Sequence, residues 1–397
     1  SPMSPRSEDN AVRGGAQRSE SHMLIEFWHF IRPRRHANAD PKEAAPAKSI
    51  GPERMIAMDY VRLGASGLHV SAFGLGTMGF GSPAWRPWVL DADASAPILK
   101  RAVELGINFF DMADFYSLGR NEEVVGKTLL SLARREDLVL ASKVYYPMSD
   151  APNARGLSRK HILDGIDATL RRIGTDYLDL YIIHAFDPDT PMEESMAALD
   201  AVVRAGKVRY LGASTMYAWQ FASLNAIADR NGWTRFQNMQ CQYSLLYREE
   251  EREMMPYCRS QGIGVTTFSP LARGMLAGAN DLRMQTDNFT QDFFGDEVDR
   301  AIVARVAELA AARGTSPAEV AMAWVLQSAN LDCPLIGAQT IAELETAIGA
   351  ASVRLAPDER AFLEELYSPA DVINDHFPDR RPRGLARRPS ARSEADA

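Results

Sequence analysis

The chain has 397 residues, 46% hydrophobic and 24% charged, with a net charge of -8. That length suits one large core or two smaller ones, and the acidic balance leaves no global basic field to hold nucleic acid. Cys241, Cys258 and Cys333 are widely spaced and form no C-x-x-C, which argues against a disulfide framework or a zinc site and for a reducing, cytoplasmic location.

Residues 1–57 read as a low-order N-terminal extension rich in Ser, Arg, Pro, Ala and Gly. Within it, the oily run 23–31 is far shorter than the roughly 20 residues that cross a bilayer. A basic cluster follows that run instead of preceding it, the wrong order for a signal peptide. No other stretch is long and apolar enough, so no membrane partner is expected. Met58 opens a new texture and is a candidate natural start. DYVRLGASGLHVSAFGLGT holds two short strand-like runs joined by a Gly-rich turn, a β-hairpin signal.

Strand and helix patterns then alternate to about Pro357. The strand candidates are 72–78, 108–113, 138–144, 177–184, 208–214, 239–245, 264–271 and 333–338. Helical patterns such as ILKRAVELG and HILDGIDATLRRIG lie between them. Ser158, Thr190 and Ser316 are candidate helix caps, the last two followed by Pro and then by a Glu placed to close a capping box. Residues 58–368 thus form the main body. Residues 369–397 form an Arg/Pro-rich tail containing Arg380, Arg381, Arg383, Arg387, Arg388 and Arg392, read as a solvated segment.

Strands joined by crossover helices predict a parallel α/β fold. A count of eight, with no G-x-G-x-x-G after the first strand, favours a closed (β/α)8 TIM barrel with an N-terminal β-hairpin over an open doubly wound sheet. Functional groups in such a barrel gather at the carboxyl ends of the strands. NFFDMADFY, LASKV and LYIIH put Asp111, Tyr116, Lys143 and His184 at or just past three of those ends.

A buried ammonium needs a counter-charge, and Asp111 is the natural partner of Lys143. A positive Lys143 beside Tyr116 is expected to lower the phenol pKa from about 10, toward the range that exchanges a proton near neutrality. His184 is placed to orient a carbonyl oxygen. Nothing in the set makes a hydride, so a nicotinamide has to supply it, and no metal is needed. SPLARG, residues 269–274, reads as a pyrophosphate clamp.

These segments resemble the aldo-keto reductase family over roughly residues 59–368. DYVRLGASGLHVSAFGLGTMGFG is similar to the family's opening, NFFDMADFYSLGRNEEVVGKTL to its Asp–Tyr motif, and LDLYIIHAFDPDTPMEE to its His motif, with Asp187 and Thr190-Pro191 in the expected places. The resemblance implies Tyr116 as general acid/base, Lys143 and Asp111 as its tuning pair, and His184 as the substrate-orienting group. It implies NADP(H), with Ser214, Thr215 and Gln240 on the carboxamide, Phe268 stacked on the nicotinamide, and Ser269, Leu271 and Arg273 around the pyrophosphate. Gly76, Thr77, Met78 and Asp111 are further cofactor contacts, and Gly337, Gln339 and Glu343 serve the adenosine end. Thr215 stands where Asn is usual. No basic residue follows Gly337-Ala338, where the family often pairs one with the 2′-phosphate, and Glu343 and Ala347 replace residue types that commonly contact phosphate or adenine; NAD(H) therefore stays open.

The expected substrate is a small-molecule carbonyl compound. Phe80, Trp85, Trp88 and Tyr146 are candidates to line an apolar pocket for an aromatic or medium-length aldehyde, with residues 281–296 as a lid. The chain is therefore expected to be an NAD(P)H-dependent reductase of aldehydes or ketones. The alternative is a cofactor-binding regulatory subunit resembling potassium-channel β-subunits. A metal-dependent hydrolase is disfavoured, because of seven His residues just His184 sits at a predicted strand end.

Overall fold

The computed structural model describes residues 58–278, 282–287, 290 and 293–372. The extension 1–57, the Arg-rich tail from 373 onward and part of the expected lid lie outside the described residues. Tyr60–Arg62 (β1) and His69–Ser71 (β2) pair antiparallel as the expected hairpin. Eight strands follow: Gly74–Gly76 (β3), Phe109–Asp111 (β4), Val139–Val144 (β5), Leu178–Ile183 (β6), Val208–Ser214 (β7), Phe236–Gln242 (β8), Gly264–Phe268 (β9) and Cys333–Ile336 (β10). All neighbours are parallel, and β10 pairs with both β9 and β3, so the barrel closes.

Side chains alternate along a strand, which sorts the core into two layers. Phe109, Val139, Ala141, Leu180, Ile182, Cys333 and Leu335 form the inner cluster. Phe110, Leu140, Tyr181 and Ile183 belong to the larger cluster between strands and helices. Val70 of the hairpin joins the inner cluster, so β1 and β2 cap the amino-terminal end of the barrel. Gly64 in the hairpin turn makes that approach close: a Cβ there would stand 2.3 Å from the Gly264 nitrogen. The same alternation, carried one pleat further, sends Asp111, Lys143 and His184 inward at the opposite end.

The helices follow their local signals. Ser158 caps Arg159–Ile173, and Ser316 with Glu319 forms a full capping box on Pro317–Leu326. Thr190 departs from expectation. Its hydroxyl donates to Asp187, and Met192–Arg204 starts from Pro191 with no side-chain cap. Strand β8 also lies about three residues earlier than the predicted 239–245. Its inward row is Asn238, Gln240 and Gln242, which hides the apolar alternation, while Ser244 and Tyr247 already exchange backbone hydrogen bonds in a turn. Cys241, Cys258 and Cys333 are free and buried. Among the described residues no helix is long and apolar enough to cross a membrane.

Candidate active site

The carboxyl ends of the strands open on a cavity of about 680 Å³. At its floor the register of β4 on β5 sets Asp111 beside Ala141, so Lys143 rises one pleat above it. Lys143 Nζ donates to Asp111 Oδ2 at 2.6 Å, to the Met112 carbonyl at 2.9 Å and to the Tyr116 hydroxyl at 3.3 Å. Gln240 Nε2, from across the barrel on β8, donates to Asp111 Oδ1 at 2.9 Å. Lys143 is fully buried and Asp111 nearly so. Every hydrogen of the ammonium thus has an acceptor, which is what an ion pair at this depth requires.

Burial opposes the charge on Lys143, but the Asp111 carboxylate and Tyr116 outweigh it, and its pKa is raised. The expected lowering of the Tyr116 phenol does not hold in this geometry. Burial pushes the phenol up, Lys143 pulls it down, Asp111 raises it again, and the net direction is upward from 10.0. Desolvation of the neighbouring charge and of the phenol itself is not readable from sequence spacing. His184 is buried enough that its pKa falls well below 6.5, and the Lys143 charge lowers it further. Its ring is therefore neutral at pH 7. It lies edge-on to Tyr116, with centroids 5.7 Å apart, and to Tyr146 at 4.7 Å.

Trp85, Phe115 and Tyr146 complete an aromatic wall over Tyr116 and His184. Trp85 meets Phe115 edge-on at 5.7 Å, and Phe115 lies 5.0 Å from Tyr146. Trp85 and Tyr146 line the cavity as expected, together with Phe115, which the sequence did not single out. Phe80 and Trp88 do not line it. Phe80 is fully buried in the strand–helix core. Trp88 is buried as well, and its ring is the platform for two guanidiniums, Arg283 at 4.6 Å and Arg86 at 5.8 Å.

From the floor the cavity runs past Gly76, Met78, Ser214, Thr215, Gln240 and Phe268. It continues along Ser269, Leu271 and Arg273 to Gly337, Gln339, Glu343 and Ala347. Thr77, also expected at the cofactor, is not on this wall. Its hydroxyl donates to the Asp111 carbonyl, and the Asn121 amide donates to the Thr77 carbonyl, so it braces β3 against β4. Ser214 and Thr215 hydroxyls lie 3.1 Å apart. Glu343 stays on the cavity wall, and its Oε2 accepts the Gln339 backbone N–H at 2.8 Å, while Thr340 caps the following helix.

Two cavity-lining cations, Arg86 and Arg283, were missed by sequence reasoning. An added Cβ at Gly337 would have Arg283 Nη1 as its nearest neighbour, at 3.8 Å. Space therefore supplies beside Gly337 the positive charge that the chain lacks just after Ala338. Residue 283 falls in the segment first read as a lid, and no motif marks it. A ring-stacking face at Phe268, an amide and hydroxyls at Gln240, Ser214 and Thr215, and arginines at 273 and 283 fit an elongated dinucleotide in this cavity.

Residues 72–368 match the aldo/keto reductase family. The chain is 43% identical over 340 residues to versiconal hemiacetal acetate reductase of Aspergillus parasiticus, covering 79% of this chain and 98% of that protein. It is 40% identical over 342 residues to "Putative aryl-alcohol dehydrogenase C977.14c" of Schizosaccharomyces pombe, covering 79% and 97%. To aldo-keto reductase AFTS1 of Alternaria alternata it is 39% identical over 345 residues, covering 80% and 93%.

Thr215 holds φ at 49°, in the left-handed region, where a β-branched side chain is strained. Asn tolerates that conformation. Thr215→Asn is expected to raise the unfolding free energy of the cofactor-free protein by about 1 kcal/mol in urea denaturation. A loss of stability would show that the Ser214–Thr215 hydroxyl contact outweighs the strain.

Proposed function

The chain belongs to the aldo/keto reductase family and is an oxidoreductase, and from this premise we propose that it reduces aromatic aldehydes or ketones to alcohols with NADPH. The observation that carries the reading is one ammonium, Lys143 Nζ, within hydrogen-bond reach of both Asp111 and the Tyr116 hydroxyl at the floor of an aromatic-walled cavity.

Bound nicotinamide supplies the hydride. The chain's own residues handle the proton and the carbonyl oxygen. Neutral His184 orients the oxygen without competing for a proton. Tyr116 is held protonated by burial and donates its phenolic proton to the oxygen as negative charge develops there. Lys143, kept charged by Asp111, stabilises the phenolate left behind. Trp85, Phe115 and Tyr146 hold an aromatic substrate and exclude water. The name of the S. pombe relative and this wall both support an aryl carbonyl as substrate. An assembled proton-donor set favours catalysis over the regulatory-subunit alternative. Arg283 beside Gly337 supports NADPH over NADH, because a guanidinium there pairs with a 2′-phosphate that NADH lacks.

Three measurements check these roles. Tyr116→Phe should cut turnover of 4-nitrobenzaldehyde with NADPH by at least ~100-fold, while NADPH binding by fluorescence titration persists. Unchanged turnover would remove Tyr116 from the mechanism. Arg283→Gln should weaken NADPH binding ~10-fold or more and leave NADH binding nearly unchanged; equal losses for both would place the 2′-phosphate elsewhere. The third is a pH profile. With the imidazole pKa well below 6.5 and the phenol pKa above 10.0, kcat/KM for the aldehyde at saturating NADPH should stay flat across neutrality and fall at high pH as the donor proton is lost. A basic limb centred near neutral pH would mean that Lys143 dominates burial after all.

A further inference from the structure

Three arginines that line the cavity share one buried carboxylate. Arg273 Nη1 lies 2.6 Å from Asp287 Oδ2, Arg86 Nη1 lies 3.3 Å from Asp287 Oδ1, and Arg283 Nε lies 3.7 Å from Asp287 Oδ2. Asp287 itself is 2% exposed. It is fixed from behind: its backbone N–H donates to the Arg283 carbonyl at 2.8 Å, and the Thr290 hydroxyl donates to Asp287 Oδ2 at 3.3 Å. The guanidiniums come from three separate parts of the chain, the β3–α1 connection (α1 is Ala92–Glu104), the loop after β9, and the short helix Leu282–Thr286. Burial lowers the Arg273 pKa, Asp287 raises it, and the nearby Arg86 charge lowers it, so the three cations repel one another across a single anion.

Three guanidiniums that converge on one wall of the cavity favour an anionic ligand there. An anion that meets these guanidiniums must nevertheless share them with Asp287. A carboxylate at hydrogen-bond distance from a guanidinium is the same kind of partner as a phosphate oxygen. Its effective concentration is fixed by the fold, so it competes at every moment of binding and release.

We propose that Asp287 is a built-in competitor for the cofactor phosphates: it draws Arg273, with Arg86 and Arg283, back from the dinucleotide and so sets a weaker affinity and a faster release than the arginines alone would give. The proposal rests on reading this cavity as the dinucleotide site. Release matters because the oxidised cofactor must leave in every turnover, and release limits many enzymes of this kind of cycle. Asp287 is thus a positioning residue that acts through arginines and touches no reacting atom.

The test uses the full chain and NADPH as the probe, with equilibrium fluorescence titration and stopped-flow dissociation. Asp287→Asn keeps the shape and removes the charge. It is expected to bind NADPH at least ~5-fold tighter and to release it correspondingly more slowly, since one unit of negative charge is lost beside a polyanion. Asp287→Ser, which keeps a hydroxyl facing Thr290, should move in the same direction and serves if the first variant folds poorly. Asp287→Glu restores the carboxylate and should return affinity to within ~2-fold of the wild type. General damage to the fold would weaken binding, so tightening is a readout that a merely structural role does not produce. Unchanged or weaker binding in folded Asp287→Asn or Asp287→Ser, with measurable wild-type binding, overturns the competitor role and leaves the cofactor reading standing. Wild-type protein that binds no reduced nicotinamide dinucleotide overturns both.

Discussion

The site depends on an ammonium held inside a barrel. Moving Lys143 from water into this interior costs several kcal/mol unless the charge is paired and its hydrogens accepted. Asp111 Oδ2, the Met112 carbonyl and the Tyr116 hydroxyl meet that requirement together, and Gln240 occupies the other oxygen of Asp111. Apolar pairs of equal volume often serve stability as well as a buried ion pair does. Stability alone does not account for the arrangement, and the fold supplies its positions through the register of β4 and β5. The outer face of β5 is braced in a similar way. Ser142 donates to Glu122 at 2.5 Å, and Glu122 in turn accepts from Arg172 on the helix Arg159–Ile173. Adjacent residues of one strand thus anchor two buried charge sets, one inside the barrel and one beneath the helices.

Competition between burial and charge decides the protonation state of Tyr116. Lys143 favours the phenolate, as its proximity suggests, yet burial of the ring outweighs it. A phenol with a raised pKa keeps its proton through neutral pH and is a weaker acid than a free phenol, so Lys143 beside it offsets part of the cost of giving that proton up. At this end of the cavity a protonated phenol and a neutral imidazole stand beside a buried ammonium. At the far end three guanidiniums gather around Asp287. The two ends are polarised to suit a ligand that is uncharged and aromatic at one extremity and polyanionic at the other.

Residues whose direction follows from strand period were legible in the sequence. Asp111, Lys143 and His184 extend inner rows that begin with Phe109, with Val139 and Ala141, and with Leu180 and Ile182. Barrel closure followed from the strand count. What stayed hidden was set by three-dimensional approach. Arg86 and Asp287 are 201 residues apart, and nothing local to either announces the pair. The polar inward row of β8 interrupts the apolar alternation, so the sequence pattern places its start about three residues late; the partners of that row lie far off in sequence, Gly264 and Thr266 on β9 for Asn238 and Asp111 across the barrel for Gln240. Aromatic residues after β3 were ambiguous for a simpler reason: Trp85 and Trp88 are equally able to face a cavity or a core, and the chain sends one each way.

Backbone geometry marks the same cavity independently of any likeness to other proteins. All the non-glycine residues with positive φ among those described are Ser117, Leu118, Thr215, Ser269, Ala272 and Arg273. Two follow Tyr116 directly, one directly follows β7, and three lie in the loop after β9. Such conformations cost of order 1–3 kcal/mol each and persist where the surrounding structure over-determines them. The amino-terminal end of the barrel, closed by the hairpin, shows no comparable cluster among its described residues. Strain is therefore confined to the end where Lys143 and the arginines stand. A rigid barrel can hold its loops in unfavourable geometry at one rim because the other rim and the inner apolar layers are packed without it, and that asymmetry places the chemistry.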